Sequence, residues 1–177
     1  PLVSSPGRIP NPMALNLYTL GYTKNKKLTT LNKASKQNLQ TYLEQHRMLT
    51  DAINIKDAFH INISVDFEII VFKNFNNQEV LKNCIDELKQ FFKIDKWQIN
   101  QPIIISELYN TIGAVEGVQS VPDCKLHNVA GQDLGYSPYK YDLDDATIKG
   151  IIYPSLDPSI FELRFPNQDI KGRITQY

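Results

Sequence analysis

The stretch FHINISVDFEIIV, residues 59–71, determines the fold class that this sequence predicts. Apolar side chains occupy the odd positions from Phe59 to Val71, and polar side chains occupy the even positions from His60 to Glu68. Because successive side chains of a strand point to opposite faces, this period of two predicts a long strand with one buried face and one polar face. The apolar face must then be covered by other elements.

Two amphipathic helices are predicted after this strand. Asn76 or Asn77 caps the first helix, in which apolar residues repeat at helical spacing from Val80 to Phe91. Ser106 caps the second helix, and a short strand at Trp97–Ile99 separates the two. Their apolar stripes are the predicted cover for the apolar face of the long strand.

A third strand, from Val118 to about Leu126, follows the second helix, with Gly117 permitting the sharp exit between them. The order is therefore strand, helix, strand, helix, strand. It predicts an α+β fold in which a small sheet carries two helices on one face and leaves its polar face outside.

Further elements flank this predicted core. A strand is predicted at residues 13–22, and Thr30 caps a helix that runs to about His46. Thr147–Tyr153 and Ser159–Phe165 are strand candidates beyond a long loop. We therefore expect an extended arm at 1–12, an N-terminal strand and helix at 13–50, an α+β core domain at 51–128, and a loop with a C-terminal β extension for association at 129–177.

The composition is typical of a folded globular protein. Nineteen basic and nineteen acidic residues leave no net charge, which argues against a nucleic acid or a membrane surface as a partner. No apolar run has the length of a membrane span, and the first residues lack the order of a secretory signal. Cys84 shares a helical face with apolar residues, which predicts a reduced core thiol in a reducing compartment. Because the sequence begins at Pro1 rather than at Met, we expect a fragment of a longer protein.

Few residues form a pattern that carries chemistry. There is no Gly-rich phosphate loop, no G-x-S-x-G elbow and no H-E-x-x-H pair, and the three histidines lack metal-ligand spacing. Asp142, Asp144 and Asp145 form an acidic loop of a kind that can hold a hard cation, so a metal-dependent enzyme is one alternative function. A nucleic-acid-binding α+β module is another, although Asp66 and Glu68 on the polar face would repel phosphate. We expect no enzyme, no cofactor and no metal site.

Ordered motifs run through the chain from Asn11 onward. They are NPMALNLY at 11–18, RMLTDAINIKDA at 47–58, IDKWQINQPI at 94–103, GVQSV at 117–121, YPSLDPSIFE at 153–162 and DIKGR at 169–173. These motifs resemble the baseplate J-like family, in particular the wedge subunits of T-even-like phage baseplates. The resemblance covers nearly the whole chain, and its more specific parts are Lys96-Trp97-Gln98 and Tyr153–Glu162.

The resemblance implies a non-enzymatic structural protein of a contractile phage tail. Such a subunit associates with itself, as a homodimer or a ring, and joins other baseplate wedge proteins around the tail hub. Its arrangement changes when the sheath contracts. The resemblance further implies a place in the virion, in the tail baseplate, after assembly in the host cytoplasm. It places these residues in the C-terminal part of a longer subunit and implies no catalytic residue, no cofactor, no nucleic acid and no membrane partner.

The C-terminal segment holds the candidate contact residues. Apolar side chains are dense around Pro154 and Pro158, which stiffen the segment and so reduce the entropy that docking costs. Aromatic side chains often dominate interfaces, so Tyr153 and Phe161 are the predicted anchors. The complete set of candidate interface residues is Tyr153, Leu156, Ile160, Phe161 and Phe165. The alternative, in which the segment folds back on the chain's own core, stays open.

Overall fold

The computed structural model of the chain describes residues 14–46 and 52–175, which group into two compact units. Within the described ranges, unit 1 holds residues 14–21, 29–46 and 52–57, and unit 2 holds residues 22–28 and 58–175. The boundary between the units therefore lies after Asp57, whereas the sequence predicted a domain boundary after residue 50. The predicted arm at 1–12 lies outside the described residues.

Unit 1 is a strand pair with one helix. Strand β1 (Ala14–Thr19) pairs in parallel with strand β4 (Ala52–Asp57). Between them in sequence lie the two-stranded ribbon β2 (Gly21–Tyr22) and β3 (Leu28–Thr29), whose residues are divided between the two units, and helix α1 (Lys33–Glu44) of unit 1. The cap of α1 is Asn32 rather than the predicted Thr30, because the Asn32 side chain accepts a hydrogen bond of 2.7 Å from the Ser35 amide.

Unit 2 is built around strand β5 (Phe59–Val71), whose bounds match the predicted strand. Ile61, Ile63, Val65, Phe67 and Ile69 of its odd face are all buried. An antiparallel partner, β7 (Val118–Asn128), lies along one side of β5. This pairing brings together the two longest strands in the described part of the chain.

Two helices cover the apolar face, as predicted. Helix α2 (Asn77–Phe91) begins at the Asn76 cap and buries Val80, Cys84 and Leu88. Helix α3 (Ile105–Gly113) buries Leu108 and Ile112. The two helices pack on each other, α2 also packs on the sheet, and α3 packs on β7.

The connection between these helices differs from the prediction in two ways. Residues 97–99 are not a strand, because the chain forms a short 3-10 helix at Ile94–Lys96 and then places the Trp97 ring in a stack on Phe92, with ring centroids 5.6 Å apart. Ser106 is not a cap, because the short strand β6 (Ile103–Ile104) runs directly into α3 and Ser106 lies in the first turn of that helix.

The C-terminal third of the chain contributes to the central sheet and is not an extension from it. Strands β8 (Thr147–Ile148) and β9 (Ile151–Ile152) form a tight hairpin, and β9 also pairs with β6 to give a separate three-stranded sheet. Strands β10 (Ser159–Glu162) and β11 (Ile170–Ile174), separated by the short helix α4 (Pro166–Asp169), both pair in parallel with β5. The fold is of the predicted α+β class, with a larger central sheet than the sequence indicated.

In residues 14–46 and 52–175, no helix has both the length and the hydrophobicity that a membrane span requires.

Candidate protein interface

The most exposed apolar side chain in the described residues belongs to Leu156, in the loop between β9 and β10. We call residues Tyr153–Pro158 the Leu156 loop. Leu156 is as exposed as it would be in an extended chain, with a relative accessibility of 106%. Tyr153 at the start of the loop is also exposed, as is Ile148 in the hairpin that leads into it. Exposed single apolar residues are ordinary, but three along one connected segment give an interface candidate.

Hydrogen bonds hold the Leu156 loop on both sides of its tip. The Ser155 amide donates to the Ser159 hydroxyl at 3.2 Å, and the Ser155 hydroxyl donates to the Asp157 carbonyl at 2.8 Å. At the loop's start, the Tyr141 hydroxyl donates to the Tyr153 carbonyl at 2.8 Å. A loop that is fixed before a partner arrives loses little conformational entropy on binding. Leu156 is therefore exposed on a loop that is braced by hydrogen bonds.

Ile160 and Phe161 do not belong to this surface. They are only 4% and 1% exposed, and they lie in β10, where they pair with His60 and Ile61 of β5. The prediction that they are interface residues is wrong, because the strand that follows Pro158 joins the central sheet at a place where both of its faces are covered. This part of the segment folds back on the chain's own core, which was the alternative left open by the sequence.

Phe165 is half-buried and packs within unit 2. The Tyr136 ring lies edge-on to it, with centroids 5.1 Å apart, and the Lys27 ammonium lies 3.6 Å from the centre of its ring. A cation over an aromatic face is a stabilising contact. Of the five candidate interface residues, the structure therefore brings only Tyr153 and Leu156 to one exposed segment.

A buried polar cluster lies around Glu162, at the end of β10, and was not predicted from the sequence. Glu162 is 3% exposed, and its carboxylate accepts hydrogen bonds from the Leu28 amide at 2.7 Å and from the Asn62 side chain at 2.8 Å. The Arg164 guanidinium donates to the same carboxylate at 3.2 Å and to the Leu28 carbonyl at 2.8 Å. Together the two charged side chains satisfy the backbone of Leu28 as a neighbouring strand would. We call these four residues the Glu162 cluster.

Asn62 shows why the polar face of β5 is not open along its whole length. It occupies an even position of the strand, yet it is fully buried. Its side-chain oxygen accepts a hydrogen bond of 2.6 Å from the Ser137 amide, and its carbonyl accepts one of 2.9 Å from the Asn128 side chain. The loop after β7 therefore covers this end of the polar face, which the sequence predicted to lie outside.

Burial sets the ionisation of three further groups in unit 2. It lowers the pKa of His60, against the opposing effect of the Glu162 carboxylate and with a smaller contribution from Arg164. It raises the pKa of the Cys84 thiol to about 11 and that of the Cys124 thiol to about 12. Cys84 is a free core thiol, as predicted. Both thiols are held in the protonated form, which is a poor nucleophile.

The acidic loop proposed as an alternative metal site is organised as a turn. The Asp142 carboxylate accepts hydrogen bonds from the amides of Asp144 and Asp145, at 3.1 and 3.2 Å. This is the local side-chain-to-backbone pattern with which aspartate commonly closes a turn. Across residues 14–46 and 52–175, no three His, Cys, Asp or Glu side chains are grouped so that they can hold a metal ion.

Comparison with known proteins yields no family assignment, since no protein-family model and no curated protein matches this sequence.

Proposed function

We propose that this chain is a structural component of a phage tail baseplate wedge, which associates with itself and with other wedge proteins around the tail hub. The observation that carries the proposal is where the motif YPSLDPSIFE, residues 153–162, lies in the fold. Its first half forms the braced Leu156 loop, and its second half is β10, which pairs with β5. The motif therefore contains both an exposed apolar side chain and the strand that anchors it in the core.

The attachment of the Leu156 loop to the central sheet favours a role in assembly. A contact that must survive a rearrangement of subunits needs a support that transmits force without unfolding. The Leu156 loop leads directly into β10, whose four residues are all buried and paired with the longest strand in the described part of the chain. A load applied at Leu156 would therefore be carried by the sheet, since packed cores resist continuous deformation.

The test of this proposal is the position of the chain in a contractile tail. Contractile tails purified from cells that carry the gene would be labelled with a gold-conjugated antibody raised against this chain, with preimmune antibody as the control. We expect gold at the baseplate end of the sheath. Absence of label from the tails, or label distributed along the sheath or tube, would overturn the proposal.

A variant pair then asks whether the Leu156 loop makes the contact. Leu156→Asp removes an apolar anchor from an exposed position and is expected to reduce incorporation into baseplates by about tenfold or more, because burying an unpaired carboxylate in an interface costs about 1.4 kcal/mol or more. Leu134→Asp is the matched control, since Leu134 is also exposed, at 70%, and also lies in unit 2. Equal incorporation of the two variants would exclude the loop as the contact surface.

A further inference from the structure

A short hairpin from the N-terminal part of the chain is docked on unit 2. Residues Tyr22–Leu28 belong to that unit, although residues of unit 1 flank them on both sides in the sequence. The hairpin is closed by a hydrogen bond of 2.8 Å from the Thr23 amide to the Lys27 carbonyl. Its last side chain, that of Leu28, is only 3% exposed and forms part of the core. We call residues Tyr22–Leu28 the Leu28 hairpin.

The Glu162 cluster holds the Leu28 hairpin through the backbone of its last residue. The Glu162 carboxylate accepts from the Leu28 amide at 2.7 Å, and the Arg164 guanidinium donates to the Leu28 carbonyl at 2.8 Å. The hairpin also makes the ion pair of Lys26 with Asp95, but this pair is exposed, and exposed pairs add little stability. The two hydrogen bonds of Leu28 are therefore its best protected polar contacts with the core.

His60 is a titratable group beside this cluster. In the parallel register of β5 with β10, His60 pairs with Ile160 and Asn62 pairs with Glu162, so His60 lies on the same face as the cluster. Its Nδ1 atom is buried and, among the residues that the structure describes, has no hydrogen-bond partner. A neutral imidazole has one N–H group, whereas the protonated ring has an N–H on both nitrogens. Protonation therefore places a charged donor where the ring has no acceptor of its own.

Two charged groups act on His60 from β10 and the residues after it. The Glu162 carboxylate attracts a protonated ring, and the Arg164 guanidinium repels it. The carboxylate is already engaged, because it accepts hydrogen bonds from the Leu28 amide, the Asn62 side chain and Arg164. Burial has the largest effect and lowers the pKa of His60 in spite of the carboxylate. The folded chain therefore favours the neutral ring.

The other neighbours of His60 belong to its own strand and to the loop after β7. The residues two positions before and after it, Ala58 and Asn62, are uncharged. From the loop, the Tyr139 ring lies edge-on to the imidazole, with ring centroids 6.3 Å apart. The docked hairpin itself is basic, with the three lysines Lys24, Lys26 and Lys27. A further positive charge at the cluster therefore works against the docking of this segment.

We propose that the Leu28 hairpin is a pH-dependent latch, docked on unit 2 while His60 is neutral and released when His60 is protonated. The protonated ring competes for the Glu162 carboxylate and repels Arg164, which are the two groups that hold the Leu28 backbone. Because burial lowers the pKa of His60, its stabilising effect is complete above about pH 6.5, the ordinary pKa of histidine, and is lost as the pH falls through the lower pKa of the docked form. The latch goes beyond the proposed baseplate function and does not require it.

Amide hydrogen exchange of the purified full chain, followed by NMR, tests the latch. The protection factor of the Leu28 amide should fall by about tenfold or more between about pH 8 and about pH 5.5, the scale expected for an uncompensated buried charge. At each pH it should stay below the protection of amides in the middle of β5, because the hairpin opens locally. A Leu28 protection factor that does not change with pH, or one that equals that of β5 throughout, overturns the proposal.

A pair of histidine variants assigns the effect. His60→Gln keeps a polar side chain that does not titrate, and it should make the Leu28 protection factor independent of pH in this range. His127→Gln is the matched control, since His127 also lies on the central sheet beside a carboxylate, with its Nε2 atom 3.6 Å from Asp66 Oδ2. Its Leu28 protection should fall with pH as in the unaltered chain. An equal fall in both variants overturns the role of His60.

A second measurement needs no variant. In the unaltered chain, the NMR titration of the His60 ring protons should have the same midpoint as the pH-dependent change of the Leu28 amide signal. Different midpoints overturn the proposal. Because these readouts use purified chain without phage tails, their failure is distinct from failure of the antibody-labelling experiment.

Discussion

Ile63 and Leu88 have no exposed surface and lie on β5 and α2, the strand and helix at the centre of unit 2. Truncating either side chain removes buried apolar area and leaves a cavity that close-packed neighbours fill only in part. We expect Ile63→Ala and Leu88→Ala each to lower the free energy of unfolding by about 2 to 5 kcal/mol. Urea unfolding followed by circular dichroism measures the change. Leu156→Ala, at a fully exposed position, is the control and should have an effect within about 0.5 kcal/mol. An unchanged midpoint for both core variants would contradict this assignment of the core.

The burial of individual residues was predictable where it depends on local periodicity. The alternation in residues 59–71 predicted the bounds of β5 and its buried odd positions. It did not predict that Asn62 is buried, because the cover comes from Ser137 and Asn128, which lie far along the chain. The polar face of β5 is covered by other residues at one end and less so at the other. Alternation with a period of two does not reveal that difference.

The strands of the C-terminal third were the least predictable elements. β10 and β11 have four and five residues, and both obtain their hydrogen bonds from β5, about a hundred positions earlier in the sequence. Gly172 in β11 weakens the strand pattern, yet the packing requires it, because a Cβ there would lie 2.5 Å from the Phe67 ring. The same lack of long-range information made Ile160 and Phe161 candidate interface residues. The gap between the strand candidates Thr147–Tyr153 and Ser159–Phe165 does correspond to a loop, since β9 ends at Ile152 and β10 begins at Ser159.

Through Glu162, the strand β10 accepts a hydrogen bond from the backbone amide of Leu28. Glu162→Gln keeps the size of the side chain but replaces an acceptor oxygen with a donor group facing other donors. We expect a loss of about 1 to 3 kcal/mol in the free energy of unfolding, since buried donors are left unsatisfied and Arg164 loses its carboxylate partner. Thermal and urea unfolding measure the loss. Glu116→Gln, at an exposed position of unit 2, is the control. If both variants unfold at the same urea concentration, the cluster contributes no net stability.

At the scale of the whole molecule, the two units differ in how they can be stabilised. Unit 2 has a core formed by its own strands and helices, so it meets the usual requirement of a hydrophobic interior. The described residues of unit 1 do not, although α1 is capped by Asn32 and joined to β4 by the ion pair of Lys36 with Asp57, 2.6 Å apart and half-buried. Ion pairs of this kind contribute at most about 1 kcal/mol. We therefore expect the described strand pair of unit 1 to be less stable than the central sheet of unit 2.

Amide hydrogen exchange separates these two kinds of stability. Amides of β5 are expected to exchange only through global unfolding of unit 2, so their protection should equal its free energy of unfolding and should not depend on protein concentration. Amides of β1 are expected to exchange faster, through local opening, because a two-stranded sheet is only marginally stable. If β1 were as protected as β5, the strand pair of unit 1 would be as stable as the central sheet, and this prediction would be wrong.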